Sequence, residues 1–245
     1  MQNASCIVIK IGSALLVDAK SGKVRSNWME SLAKDIALLK SDGKQIVLVS
    51  SGSIAIGREI LNLTSNMIKL EEKQAAAAVG QGKLVQLWAY YLAKHNITAA
   101  QILLAPDDTE TRRRHLNARA TIKTLLNLGV VPVVNENDTV TTYEIRFGDN
   151  DRLAARVAGM ISADLLILLS DIDGLYNIDP SLDPNAKHIE EINEITENIL
   201  AMGGSANASF ASGGMTTKLA AGQIATNAGA DMIICDGRYE QPLKR

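Results

Sequence analysis

The chain has 245 residues, 47% of them hydrophobic but only 4% aromatic, so its core must be built mainly from aliphatic side chains, as in layered α/β proteins. Its 25 Lys and Arg nearly balance 27 Asp and Glu, and a net charge of −2 argues against nucleic acid as the main partner. No apolar run approaches the ~20 residues of a membrane span. The start lacks the basic and apolar regions of a signal peptide, and Cys6 and Cys235 have neither a CxxC nor a metal-ligand spacing, so a soluble cytoplasmic protein is expected.

In chain order, Ile7–Ile11 reads as a strand interrupted by Lys10 and running into Gly12-Ser13. Ser26 caps a predicted helix with Trp28, Leu32, Ile36 and Leu39 on one face, closed by Gly43. Ile46–Val49 is a second strand, leading into Ser50-Ser51-Gly52-Ser53. A long helix is predicted over Gln74–His95, weakened in its middle by Gly80 and Gly82. The strand Ala100–Leu104 and a helix over Asp107–Leu128, containing Arg112-Arg113-Arg114-His115, come next.

The β-branched run Val130–Val134 stops at Asn135-Glu136-Asn137-Asp138. A polar hairpin, Gly148-Asp149-Asn150-Asp151 and a helix over Asp151–Ile161 follow. Leu165–Leu169 leads into Ser170-Asp171-Ile172-Asp173-Gly174-Leu175-Tyr176, and Asp171–Glu191 reads as a long excursion. Ser212-Gly213-Gly214-Met215-Thr216-Thr217-Lys218 opens the last helix, Thr216–Ala228, before the strand Met232–Cys235. Continuously apolar strands alternating with helices predict a three-layer αβα sandwich with a mostly parallel central sheet. No linker divides it, so residues 1–245 read as a single domain.

Four strand ends thus carry Gly or hydroxyl residues, and a fifth carries the amide and carboxylate cluster. Glycine lets a backbone approach a ligand closely, and N–H groups at a helix start bind anions. Any one such loop is a weak signal, and single Asn or Asp residues more often cap turns and helices. Five converging on one sheet edge is a ligand crevice. Gly52–Arg58 has P-loop spacing, but Arg58-Glu59 stands where Lys and a hydroxyl are required. Gly80-Gln81-Gly82 lies in a helix and lacks the third glycine of a dinucleotide fingerprint. Lys10, costly in an apolar strand without a partner, and Lys218, behind two glycines, look like two cations brought to one polyphosphate. Taken singly, they could be a snorkelling strand residue and a solvated helix residue.

Lys10-Ile11-Gly12-Ser13, Ser50-Ser51-Gly52, Lys73 to Gln81, Asn135 to Asp138, Phe147 to Asp151, Ser170 to Tyr176 and Gly213 to Lys218 occur in an order that resembles the glutamate 5-kinases of the amino acid kinase family. The resemblance spans essentially the whole chain and implies the amino acid kinase fold. It also implies ATP-dependent phosphorylation of the γ-carboxylate of L-glutamate to glutamyl 5-phosphate, the first step of proline biosynthesis. Residues 1–160 would carry the substrate and 161–245 the nucleotide, without the C-terminal PUA domain found in many members.

By the same resemblance, Lys10, Asp151 and Lys218 are the catalytic positions, with Asp151 organising the two lysines. Lys10, Ser170, Asp171, Ser212, Gly213, Gly214, Met215, Thr216, Thr217 and Lys218 are ATP positions. Ser50, Asp138 and Asn150 are glutamate positions, the carboxylate suiting the α-ammonium and the Ser and Asn suiting carboxylates. Mg2+ is expected with ATP, and no protein ligand to it is assigned. Proline as feedback inhibitor, a glutamyl phosphate reductase as partner and a homo-oligomer are further expectations. A sibling kinase acting on another carboxylate, or a non-catalytic amino-acid sensor of the same fold, is the alternative. Arg112-Arg113-Arg114 reads first as a solvated or intersubunit helix face, and otherwise as an anion site or a docking patch.

Overall fold

All six apolar runs become strands. In the computed structural model, which describes residues 3–18, 21–63, 65, 69–141, 150–204 and 214–244, these are β1 (Cys6–Ile11), β2 (Gln45–Ser50), β3 (Ala99–Leu104), β4 (Val131–Glu136), β5 (Leu165–Ser170) and, after a small antiparallel pair β6 (Leu175–Tyr176) and β7 (His188–Ile189), β8 (Asp231–Asp236). The six long strands form one sheet in the order β3-β4-β2-β1-β5-β8, and every neighbouring pair is parallel. Between them run α1 (Ser13–Leu16), α2 (Ser26–Ser41), α3 (Ser53–Ile60), α4 (Leu70–Ala93), α5 (Pro106–Glu110), α6 (Arg112–Asn127), α7 (Asn150–Ile161), α8 (Glu197–Met202) and α9 (Met215–Asn227).

Strand side chains alternate between faces, so each strand supplies both layers. Ile7, Ile9 and Ile11 of β1 join Trp28, Leu32 and Ile36 of α2 and Leu84, Trp88 and Leu92 of α4. Val8, on the opposite face, joins Ile122 and Leu126 of α6, Leu153 and Val157 of α7, and Ala221 and Ala225 of α9. Lys10 shares the parity of Val8 and therefore projects toward α7 and α9. Burial on both faces is what a parallel sheet requires, and the three-layer αβα sandwich follows. Among the described residues, no helix is long and apolar enough to cross a membrane.

Several predicted boundaries shift. The fourth strand continues through Asn135 and Glu136, which pair with Leu103 and Leu104, because the ladder to β3 carries polar residues as readily as apolar ones. The single helix expected over Asp107–Leu128 is two, broken where Thr111 adopts an extended backbone (φ −77°, ψ 116°). The Asp108 carboxylate, which accepts from the Ala105 N–H at 2.8 Å, caps the short first piece. The long helix begins at Leu70, four residues earlier than its apolar pattern, where the Glu72 carboxylate accepts from the Lys69 N–H at 2.7 Å. Most of the expected polar hairpin, residues 142–149, lies outside the described residues.

Two glycines explain a helix pair that periodicity alone did not reveal. A Cβ on Gly80 would lie 1.8 Å from the Ser53 carbonyl oxygen, and one on Gly57 would lie 1.8 Å from that of Ala76. α3 and α4 therefore approach backbone to backbone, each glycine seated against the other helix. Gly52 begins α3 with φ +105°, a conformation that a side chain would strain. The glycines in the middle of α4 thus have separate meanings, since Gly82 faces open space.

Candidate active site

A cleft of about 530 Å³ runs across the carboxyl ends of β1, β2, β4 and β5. β1 is central, and the chain moves from it first toward β2 and later, through β5, toward the other edge. Loops diverge at such a reversal of strand order, and open α/β sheets place ligands there.

Three elements converge at one end of the cleft. Lys10 comes from β1, Asp151 from the first turn of α7 and Lys218 from the first turn of α9, two helices packed side by side. Lys10 Nζ lies 2.5 Å from Asp151 Oδ1, and Lys218 Nζ lies 3.2 Å from Asp151 Oδ2. Asp151 is fully buried and the lysines are 6% and 4% exposed, yet both lysines line the cleft. The Thr217 hydroxyl also donates to Asp151 Oδ2, at 3.1 Å. Burial pushes the Asp151 carboxyl pKa up, but the charges and hydrogen bonds of the two lysines outweigh it and hold the group below the ordinary carboxylate value. One carboxylate beside two ammonium groups leaves a net positive charge aimed into the cleft. Gly12 borders it too, and a Cβ there would come within 4.0 Å of Lys10 Nζ.

The other end is built from amides and carboxylates. Asn135, Glu136, Asp138 and Asn150 line it with Ser51 and Ser53. Asn150 Nδ2 donates to Asn135 Oδ1 and to Ser51 Oγ, both at 2.8 Å. Asn135 Nδ2 donates in turn to Gln81 Oε1 at 2.7 Å and to Ser53 Oγ at 3.2 Å. Ser50, expected at the substrate, is fully buried instead. Its hydroxyl accepts from Trp88 Nε1 at 3.0 Å, and the neighbouring Ser51 and Ser53 border the cleft.

Of the expected nucleotide positions, Ser170 is buried and donates to Asp171 Oδ1 at 3.1 Å, while Asp171 is exposed at the cleft. Gly214, Met215, Thr216 and Thr217 form the start of α9, and Ser212 and Gly213 lie outside the described residues. Asn135 and Glu136 belong to the amide and carboxylate cluster expected at the ligand crevice, and the side chains that motif reading left unassigned are Gln81, Ser53 and Arg58. Strand parity puts Asn135 after Val131 and Val133 on the face toward α4. Arg58, set aside with the failed P-loop spacing, lines the cleft and donates to the carbonyls of Leu63 and Ser65. The three consecutive arginines open α6 on its exposed side, where Arg114 lies 3.4 Å from Asp108 and 3.9 Å from Asp107. None of the three borders this cleft.

Residues 5–236 match the model of the amino acid kinase family. The chain belongs to the amino acid kinase family. This amino acid kinase is 57% identical over 245 residues to the glutamate 5-kinase of Gluconobacter oxydans, covering 100% of this chain and 65% of that protein. It is 59% identical over 238 residues to the glutamate 5-kinase of Agrobacterium fabrum, covering 97% of this chain and 61% of the relative. The chain therefore spans a little under two thirds of the length of these curated relatives. Among solved structures, carbamate kinase from Giardia lamblia bound to AMP-PNP superposes with a TM-score of 0.66 at 18% identity, over 97% of this chain and 95% of the other, and so shares the fold.

Proposed function

We propose that this amino acid kinase transfers the γ-phosphoryl group of ATP to the γ-carboxylate of L-glutamate, giving glutamyl 5-phosphate and ADP. The observation that carries this reading is the Lys10–Asp151–Lys218 cluster, placed in the same cleft as an acidic and amide-lined pocket. The relatives named above support the choice of substrate.

The chemistry needs little proton transfer. A glutamate side chain has an ordinary pKa near 4.3 and is ionised at neutral pH, so the attacking oxygen needs no general base. A carboxylate oxygen forms the new O–P bond as the bond from the γ-phosphorus to the β–γ bridging oxygen breaks, and its electrons leave with ADP. The obstacle is an anion approaching an anion, so positioning and charge neutralisation carry the rate. Lys10 and Lys218 lie on opposite oxygens of a single buried carboxylate, which holds both ammonium groups at fixed separation before the substrate arrives. Asp151 is thus a positioning group that keeps its charge throughout. Asp171 and the start of α9 are assigned to the nucleotide, and Asp138 and Asn150 to the amino acid.

Magnesium neutralises polyphosphate charge in such reactions. The ion is expected to arrive with the ATP phosphates, and no protein ligand to it is assigned. Proline inhibition at the amino-acid end and delivery of the labile acyl phosphate to a glutamyl phosphate reductase belong to the same reading.

Hydroxylamine converts an acyl phosphate to a hydroxamate, so incubation with ATP, Mg2+ and a panel of amino acids tests the reading directly. Hydroxamate formation with L-glutamate, and not with aspartate, is the expected result. Formation with aspartate alone would identify a sibling kinase. ATP or glutamate binding without any hydroxamate would identify a sensor.

A further inference from the structure

Gln81 is 7% exposed, sits in the middle of α4 and does not border the cleft, yet it ends the hydrogen-bond chain that does. The close approach of α3 and α4 at Gly80 brings it there. Its Oε1 accepts from Asn135 Nδ2 at 2.7 Å, while its own Nε2 is buried and has no partner among the described residues. A buried amide donor without a partner is costly.

The chain has a direction. An amide nitrogen carries two hydrogens. Those of Asn135 go to Gln81 and Ser53, and those of Asn150 go to Asn135 and Ser51. The Asn150 side chain therefore has no N–H left for a ligand, and what it can offer is the acceptor Oδ1. That reverses the role expected from residue type, in which its amide donates to a substrate carboxylate. It also agrees with the surroundings, because Asp138 and Glu136 line the same end and favour a cation. Turning Asn150 over would require Asn135 to turn as well, and then Gln81 to present a donor.

Resting on the glutamate kinase reading above, we propose that Gln81 is a positioning residue that sets the polarity of the Gln81–Asn135–Asn150 relay, so that Asn150 accepts a hydrogen bond from the α-ammonium of the substrate. Gln81 thereby contributes to selection of an amino acid over the corresponding dicarboxylate without touching either.

The test compares purified wild type, Gln81→Met and Gln81→Glu in the hydroxamate assay with L-glutamate and with glutarate, which lacks the ammonium. Methionine fills the volume without an amide acceptor, whereas glutamate retains acceptor oxygens in the same place. For Gln81→Met, a rise of about five- to tenfold in KM for L-glutamate is expected, the scale of one neutral hydrogen bond. The KM for ATP should stay unchanged, and the preference for glutamate over glutarate should fall by the same factor. Gln81→Glu should keep both the KM and the preference near wild type. Thermal melts establish that each variant is folded, and if Gln81→Met is not, Gln81→Leu, which also lacks the acceptor, takes its place. The inference is overturned if Gln81→Met leaves the preference intact, if both substrates suffer equally, or if Gln81→Glu behaves like Gln81→Met. A wild type inactive on L-glutamate would overturn the kinase reading and this inference together, whereas an active wild type with an insensitive Gln81→Met overturns this inference alone.

Discussion

Gly80 and Gly82 lie two residues apart in one helix, and replacing each with alanine should change stability in opposite directions. Helix propensity alone favours both substitutions by about 1 kcal/mol. At Gly82 nothing lies within 4 Å of the added methyl group, so Gly82→Ala should stabilise by about that amount. At Gly80 the methyl would lie 1.8 Å from the Ser53 carbonyl oxygen and 2.6 Å from the Gly57 nitrogen, both backbone atoms of α3. Ordinary contact begins near 3.4 Å, so α4 must retreat by about 1.6 Å or α3 must shift equally. Overpacking costs about 1–3 kcal/mol where side chains can yield, and more where backbone blocks the way. After the propensity gain, Gly80→Ala should destabilise by about 2–3 kcal/mol. Urea unfolding with unchanged slopes and opposite shifts of the midpoint is the assay. Because Ser53 also accepts from Asn135, Gly80→Ala should raise the KM for the amino acid as well. Two midpoints moving in the same direction would refute the backbone-to-backbone packing of α3 on α4.

Lys10→Ala and Lys218→Ala should each lower kcat by about 10²–10³-fold in the hydroxamate assay while the protein still melts cooperatively, since each removes one charge-stabilising donor. Asp151→Asn leaves two buried lysines without their counter-charge and should cost about 3–5 kcal/mol at pH 7 by urea unfolding. The folded Asp151 carboxyl titrates below its ordinary value, so its contribution is complete above that value and is lost as pH falls through the lowered one. The gap between wild type and Asp151→Asn should therefore begin to shrink only as pH falls below the ordinary carboxylate value of about 4, and close as the folded carboxylate is protonated at its lowered value. Burial, followed by the nearby Asp164, pushes the Cys6 thiol up to about 11, so the thiolate fraction at pH 8 is about one in a thousand. Iodoacetamide should label Cys6 far more slowly in the folded protein than in urea, as measured by mass spectrometry.

Much of this protein can be read from its sequence, because the relevant forces act locally. Runs such as Ile7–Ile11 and Leu165–Leu169 specify buried strands by composition, and their alternation with helices specifies a parallel sheet. The abrupt change from Val134 to Asn135 and the glycines before Lys218 marked the strand ends and the helix start at which the cleft lies. Tertiary structure decided which groups meet. Lys10, Asp151 and Lys218 are far apart in sequence, and only the adjacency of β1, α7 and α9 places both ammonium groups on one carboxylate. Ser50 and Ser51 are indistinguishable as types, but strand parity turns one hydroxyl to Trp88 and leaves the other to accept from Asn150. Gln81 looked like part of a failed glycine motif until the two helices were seen to touch at Gly80. Composition and periodicity determine which elements form. The hydrogen-bond direction within the site depends on contacts between elements distant in the chain, and these exist only once the sheet and its helices have packed.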